Sequence, residues 1–459
     1  MDPLTAAIRY EHRRHAPKHA PCPHCGTPGV RKQTRTRTVR ALAYRSILIL
    51  KVTTAEYRAA CGCCRTFRTH LEGVEPKAQY TNAVREAVLD RLLEDRMSVE
   101  RLQAALRRDF LLDLSAGFVY DCLRWKVAQL DLAAHRAWTV EHFSGTLCVD
   151  ELHLGRYTLL LATDPLGDFP VAFALVSSND QDHLARFLRA LRDHGLHPKV
   201  VVTDGSALYP AVLAQVWPQA QHQLCVFHVL QDLHRTVRAA IRRRRQQRAP
   251  RGRSLRGRRD AAATRRRRRR QEAQFVFRHR ELILRRPEAL SARQRRQLAR
   301  LLEYVPALRL LRRFMDQVYG MLGRSQSPAQ AWQRYARWQA DPAFAADPDL
   351  AGVLAEWTAA KFAKMVAFLR SPLGARVRTN NHVERLNRTL RQYEKVRYRW
   401  RRARSVVRFV ALLVDRYGQA RRGRPGPGPR RPPAGGGGQP GPAPAAAPGQ
   451  APPEEATAA

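Results

Sequence analysis

The chain is short of acidic residues. Its 459 residues contain 39 Asp and Glu against 82 Lys and Arg, which gives a formal net charge of +43. Such an imbalance favours a polyanionic partner, most simply a nucleic acid. An Arg bias in a GC-rich genome is the alternative explanation. The run from 238 to 270 contains 17 Arg and one acidic residue. This run holds only part of the excess charge, so the basic character extends to the folded regions.

Long apolar segments are also missing. No run is long enough to span a membrane. The N-terminus, "MDPLTAAIRYEHRRHAPKHAPCPHCG", lacks the apolar core and cleavage pattern of a signal peptide. We therefore expect a cytoplasmic protein, in which the eight Cys are reduced or metal-bound rather than paired in disulfides.

Composition divides the chain into regions and predicts a multi-domain fold that mixes α+β and α/β parts. Residues 1–75 hold most of the cysteines, and 78–141 have a basic, helical pattern. Apolar runs alternate with helical patterns from 145 to about 233, and the following residues to 422 are helical and rich in Arg. The Pro, Gly and Ala tail at 423–459 cannot bury a core, so we expect it to be disordered. The run 242–270 is either a mobile basic linker or a helix that lies on phosphates.

Two cysteine pairs predict a zinc ribbon. "CPHCG" and "CGCCRTF" supply Cys22, Cys25, Cys61 and Cys64, with Cys63 as a competitor for the last position. Paired thiolates on two turns suit tetrahedral Zn²⁺, and four protein ligands make the site structural rather than catalytic. The β-branched residues between the pairs predict connecting strands. Reduced structural thiols are the alternative.

Three helical patterns in 78–141 predict a helix-turn-helix. The first helix begins after Thr81 and Asn82, and Ser98 and Ser115 are positioned to cap the next two. The third carries Arg124 and Lys126, which we assign to DNA contact. An ordinary three-helix linker domain fits the same pattern.

Two aspartates end apolar runs in the central region. Asp150 follows "GTLCV" and Asp204 follows "KVVVT", each predicted to end a strand. Glu151 lies next to Asp150, but the two-residue period of a strand directs it to the opposite face. Carboxylates at the ends of two neighbouring strands suit hard cations such as Mg²⁺. A turn or cap role is the alternative for either one alone, and Asp164 and Asp168 are assigned to a turn.

A third acid lies in "RTNNHVERLNRTLRQYEKVRYRWRR". On a helix that begins near Asn381, Val383, Leu386 and Leu390 form the apolar face. The neighbouring face presents Glu384 as a metal ligand and Asn387, Arg388 and Arg391 as DNA contacts, to which Arg397 and Trp400 are added. Asn381 and Glu384 also fit a capping box, and the two roles are compatible.

Together these motifs resemble a known family. "CVDE", "VTDGS" and "NNHVERLN" are similar to the acidic motifs of DDE-type transposases, which have a ribonuclease H-like core. The zinc ribbon and helix-turn-helix resemble bacterial insertion-sequence transposases of the ISL-three group. Cys225 and His228 in "HQLCVFHVLQDL" resemble a motif of Mutator-like relatives, which implies a supporting place beside the active site; a buried thiol and a core histidine are the alternative.

The resemblance implies a core at 145–422, interrupted by a helical insertion at about 235–375. Asp150, Asp204 and Glu384 would bind two Mg²⁺ or Mn²⁺ ions. The protein would cleave DNA at transposon ends and transfer the strand to target DNA. It would act as at least a dimer on double-stranded DNA, associated with the bacterial nucleoid. A non-catalytic DNA-binding regulator and a nuclease without strand transfer are the alternative functions.

Overall fold

A computed structural model describes residues 8–248, 261–396 and 402–422. The predicted tail at 423–459 and the predicted DNA contacts Arg397 and Trp400 lie outside the described residues. No helix in the described parts of the chain is long and apolar enough to cross a bilayer.

An N-terminal sheet contains the cysteine pairs. Its five strands are β1 (Ile8–His15), β2 (His19–Pro21), β3 (Pro28–Ala41), β4 (Ile47–Arg58) and β5 (Thr66–Arg68). The strand order is β1-β4-β3-β2, with β5 also paired to β4. The long β3–β4 hairpin arises from the β-branched segment between the cysteine pairs, as the sequence predicts.

Four helices follow, namely α1 (Asn82–Leu93), α2 (Val99–Phe110), α3 (Ala116–Val127) and α4 (Leu132–His142). The capping predictions hold, because the Ser98 hydroxyl accepts from Arg101 N and the Ser115 hydroxyl accepts from Phe118 N. The predicted boundary near 141 does not separate two cores. The buried faces of α1, α2 and α3 instead pack into the same hydrophobic cluster as the central sheet.

The central sheet has five strands and helices on both faces. The strands are β6 (Thr146–Leu154), β7 (Tyr157–Asp164), β8 (Phe169–Val176), β9 (Val200–Thr203) and β10 (Gln221–Leu224). The strand order is β10-β9-β6-β7-β8. Strands β6, β7 and β8 form an antiparallel meander, while β9 and β10 run parallel to β6. Helices α5 (Gln181–Asp193) and α6 (Tyr209–Val216) cover one face.

A helical segment follows β10 and has its own hydrophobic core. Its helices are α7 (Val226–Arg248), α8 (Ala261–His279), α9 (Ala292–Tyr304), α10 (Leu308–Met321), α11 (Pro328–Gln339), α12 (Pro342–Ala345), α13 (Ala351–Glu356) and α14 (Ala359–Met365). Gln223 joins this core to β10, since its side chain donates to Met365 O and accepts from Phe368 N. The described parts of the run 242–270 are helical, at the end of α7 and the start of α8.

The last two described helices return to the central sheet. They are α15 (Asn381–Val396) and α16 (Ala403–Arg422). Val383, Leu386 and Leu390 of α15 are buried against the sheet, as their spacing predicts. This packing places the first turns of α15 beside β6 and the acidic residues that β6 carries.

Candidate active site and metal-ligand clusters

Three carboxylates meet beside β6 and β9. One oxygen each of Asp150, Glu151 and Asp204 can be chosen so that all three lie within 4.8 Å of one another. Strand β6 pairs with β9 only from Thr146 to Cys148, so the flank of β6 is open from that point onward. Asp204 follows the last residue of β9 and lies next to this opening. The three acids thus converge where one strand ends and its neighbour continues.

Two details of the sequence prediction are wrong here. Asp150 does not end its strand, because β6 continues to Leu154. Glu151 follows the predicted alternation at its backbone, but its carboxylate reaches the same group as Asp150. The open flank explains the second difference, since a long side chain on either face can extend past the edge. Glu151 was therefore missed as a site residue.

The carboxylates of this group repel one another. Burial, followed by the charges of Glu151 and Asp204, raises the pKa of Asp150 to about 7. Burial and the charge of Asp204 also raise the pKa of Glu151. No Lys or Arg among residues 8–248, 261–396 and 402–422 forms an ion pair with the three acids. A bound cation would relieve this repulsion, and the all-oxygen donor set suits Mg²⁺ or Mn²⁺.

Helix α15 brings Glu384 to this site. The Asn387 amide, one turn beyond Glu384, donates to Asp150 Oδ2 at 2.7 Å. The Asn380 amide donates to Val149 O at 3.0 Å and fixes the start of the helix against β6. Glu384 Oε1 is buried and accepts no hydrogen bond among the described residues. The contact of Asn387 with Asp150 thus places Glu384, one turn earlier on α15, on the side of the helix that faces β6.

The predicted capping box is not formed. Glu384 is the fourth residue of α15, whereas the box requires the third, and the Asn381 side chain is exposed. Asn387, predicted to contact DNA, is 8% exposed and is bonded to Asp150. Its contact with Asp150 indicates that it holds this carboxylate in place.

Cys225 and His228 complete a second group with Glu384. Ligand atoms of the three residues lie within 4.8 Å of one another. His228 Nε2 is 3.7 Å from Glu384 Oε1, and Asn380 N donates to Cys225 Sγ at 3.2 Å. A hydrogen bond to Cys225, then the charges of Cys225 and Glu384, raises the pKa of His228 to about 9. The motif therefore lies beside the third acid.

The cations predicted to contact DNA differ in their surroundings. Arg388 and Arg391 are exposed on α15, and Arg391 donates to Glu394 at 3.0 Å. On α3, Arg124 pairs with Asp121, and Lys126 donates to Glu86 at 2.7 Å. The acidic partners reduce the charge that α3 presents to a polyanion.

The N-terminal thiols also form a group. Ligand atoms of Cys22, Cys25, Cys61 and Cys63 lie within 4.8 Å of one another, while Cys64 Sγ is 3.8 Å from Cys22 Sγ. Cys63 and the predicted Cys64 both lie close enough to the other thiols to supply the fourth ligand. Hydrogen bonds with Thr27 lower the pKa of Cys25 to about 6, so a thiolate forms readily. An all-sulfur set of four suits tetrahedral Zn²⁺.

The chain is similar to known proteins in two respects. A family model for transposases, DDE_Tnp_ISL3, matches residues 147–405, which is more than half of the chain. Among solved structures, the Drosophila P element transposase strand transfer complex is similar at 12% identity, over 71% of this chain and 93% of that chain, with a TM-score of 0.35. No curated protein sequence matches the chain.

Proposed function

Because the chain belongs to the DDE_Tnp_ISL3 family of transposases, we propose that it cleaves DNA at transposon ends and transfers the freed strand to target DNA. The observation that carries this proposal is the meeting of Asp150, Glu151 and Asp204 at the open flank of β6, to which α15, the helix of Glu384, is joined by the hydrogen bond from Asn387 to Asp150. The acids come from distant parts of the sequence and converge at one place.

The strand order supports a ribonuclease H-like core. An antiparallel meander of three strands is followed by two strands parallel to the first, with α5 and α6 as crossovers. The helical segment after β10 interrupts this core and ends before α15 supplies Glu384. This organisation supports a helical insertion in the region for which the sequence predicts one, at about 235–375.

Asp150, Glu151, Asp204 and Glu384 are the residues that would hold divalent cations. Buried Oε1 atoms of Glu151 and Glu384 accept no hydrogen bond among the described residues, which fits a group that a cation completes. Such cations would activate the attacking oxygen and stabilise the leaving oxygen of a phosphodiester.

The remaining residues orient the acids and the DNA. Asn387 fixes the rotamer of Asp150 through its amide. His228 presents a cation beside Glu384, where it can hold a phosphate oxygen. Arg388 and Arg391 are exposed on the same helix and would bind DNA phosphates next to the one that is cleaved. Joining two transposon ends would require at least two copies of the chain on DNA.

The test is cleavage of duplex DNA that carries the element's ends, with Mg²⁺ or Mn²⁺. Glu384→Gln keeps the shape of the side chain and removes its charge, so we expect normal DNA binding and cleavage reduced by more than about 100-fold, since losing even a residue that merely holds a metal ligand costs about 10- to 100-fold. Glu303→Gln, an exposed position on α9, is the matched control. Equal cleavage by both variants would remove Glu384 from the site.

The two alternative functions give different results in this assay. A regulator binds the ends and does not cut them, even before any substitution. A nuclease cuts the ends but leaves no product joined to target DNA when paired ends and a target are supplied together.

A further inference from the structure

The N-terminal sheet has two faces that differ in their acidic residues. Strand register places Arg14, Lys51 and Thr36 on one face, which we call the Arg14 face. Arg13, Val52 and Arg37 lie on the opposite face, called the Val52 face. Two contacts confirm the assignment: Lys51 Nζ lies 5.1 Å from the centre of the Tyr10 ring, and Thr36 and Thr53 share a hydrogen bond of 2.9 Å.

The Val52 face is partly covered, and several of its cations have partners within the protein. Val52 and Leu50 pack against Val74, and Arg37 donates to the backbone oxygens of Glu75 and Ala78. Both acidic residues of β1, β3 and β4 lie on this face. Glu11 accepts from Arg13 at 2.8 Å, and Glu56 lies 3.9 Å from Arg35. Arg13, Arg35 and Arg37 are therefore engaged within the protein, whereas Arg9 of the same face is exposed and forms no ion pair among the described residues.

The Arg14 face has no acid on its three strands, and it is exposed at its cations although its end at Ala55 and Tyr57 is buried. Arg14 and Arg40 are exposed, and neither they nor Lys51 pair with an acid in the described parts of the chain. Tyr10 and Ile8 are 55% and 54% exposed on the same face. Threonine hydroxyls of β3 lie between the cations. Cations and hydroxyls on a flat surface are the groups that contact phosphates, and apolar side chains can pack on sugars.

We infer that the Arg14 face binds the phosphate backbone of double-stranded DNA. The inference rests on the proposed function for the presence of DNA, and it assigns DNA contact to the sheet rather than only to α3. The positive charges of the Arg14 face complement the negative phosphates of DNA, and this favours DNA as the partner. A second copy of the chain related by two-fold symmetry would bring the same cations face to face, which is unfavourable.

The test compares two double variants in the zinc-loaded, full-length protein. Arg14→Gln with Arg40→Gln removes two cations from the Arg14 face. Arg13→Gln with Arg35→Gln removes two cations from the same strands on the Val52 face. Both variants lose the same formal charge, so any difference between them reports contact rather than net charge. Binding is measured by anisotropy of a labelled mixed-sequence duplex at several salt concentrations, without added divalent cation.

We expect the Arg14 and Arg40 variant to bind about tenfold more weakly and the slope of log K against log salt to fall by about 2, one for each phosphate that the face no longer neutralises. The Arg13 and Arg35 variant should stay within about threefold of the parent protein. Equal losses in both variants, or no loss in the first, would overturn the inference. Lys51→Gln, with an expected slope change of about 1, decides the question if the first variant loses zinc or fails to fold.

Two further outcomes separate this inference from its premises. If the Arg14 and Arg40 variant changes the sedimentation mass of the free protein but not its affinity for duplex, the face is an interface between copies and the inference is wrong. If the face variants behave as expected but the parent protein never cleaves transposon ends, the surface assignment stands and the proposed transposase activity fails.

Discussion

The thiol group and the carboxylate group show two ways to build a ligand set. The thiols come from two short turns of the N-terminal sheet, and each pair is local in sequence. The carboxylates come from β6 and the end of β9, and the neighbouring group of Cys225, His228 and Glu384 includes a residue of α15, which follows the whole helical insertion. If the metal is lost from the thiols, few other contacts hold the turns of the N-terminal sheet in place. The carboxylates, in contrast, lie beside a well-packed core. We therefore expect metal loss to unfold the first site and only to inactivate the second.

Zinc removal should have the largest effect. Structural zinc in small domains contributes on the order of 10 kcal/mol, and the clusters around Tyr57 and Val52 are small. Chelation should accelerate hydrogen exchange in β2 and in the adjoining parts of β3 and β4, while β6 to β9 keep their protection. One zinc per chain before chelation, measured by elemental analysis, is the accompanying expectation. Equal protection of the N-terminal sheet with and without zinc would contradict it.

The fourth thiol ligand can be identified in the same experiment. The sequence spacing predicts that Cys64→Ser lowers zinc content and Cys63→Ser does not. The two positions are adjacent, so each variant is the control for the other. The opposite result would assign the fourth ligand to Cys63, which lies within 4.8 Å of Cys22, Cys25 and Cys61.

Loss of a carboxylate should leave the fold intact and remove activity. Asp204→Asn is expected to reduce cleavage by more than about 100-fold, and Glu151→Gln by about 10- to 100-fold with a higher Mg²⁺ requirement. Asp193→Asn, an exposed position at the end of α5, is the control. If Glu151→Gln cleaves normally with unchanged Mg²⁺ dependence, Glu151 is near the site without taking part in it.

Asn387→Ala should have a smaller effect on the same reaction. The amide holds Asp150 without a charge of its own, so its loss misplaces the carboxylate rather than removing it. We expect cleavage to fall by about 10- to 100-fold. Asn387→Asp, which places another negative charge against Asp150, should be worse than Asn387→Ala. Weaker duplex binding with unchanged turnover would instead support the DNA-contact role predicted from sequence.

The difference between the two ligand sets also explains how much the sequence could predict. Local spacing was enough for the thiol pairs, the caps Ser98 and Ser115, and the apolar face of α15. Glu151 was missed because the two-residue period does not show where a neighbouring strand ends. Asn387 was assigned to DNA because helical spacing cannot show that Asp150 lies opposite it. The packing of α1 to α3 on the central sheet likewise depends on contacts between distant segments.

Acid sensitivity offers the smallest and most local test of the buried site. His222 on β10 lies 2.8 Å from Thr203 Oγ1, next to Asp204 in the chain. Burial and the charge of Lys364 lower the pKa of His222 from 6.5 to about 4. Between these values the unfolded chain takes up a proton that the folded chain does not. The free energy of unfolding should therefore fall as the pH decreases from 6.5 towards 4, by up to about 1.4 kcal/mol per pH unit.

His222→Gln keeps a partner for Thr203 and cannot titrate, so its melting temperature should depend less steeply on pH over this range. Parallel melting profiles for the two proteins would mean that His222 is protonated as easily in the folded chain as in the unfolded one. The central sheet beside Asp204 would then be more accessible to water than its packing indicates. In its access to water it would resemble the thiol site, where Cys25 and Cys63 are exposed.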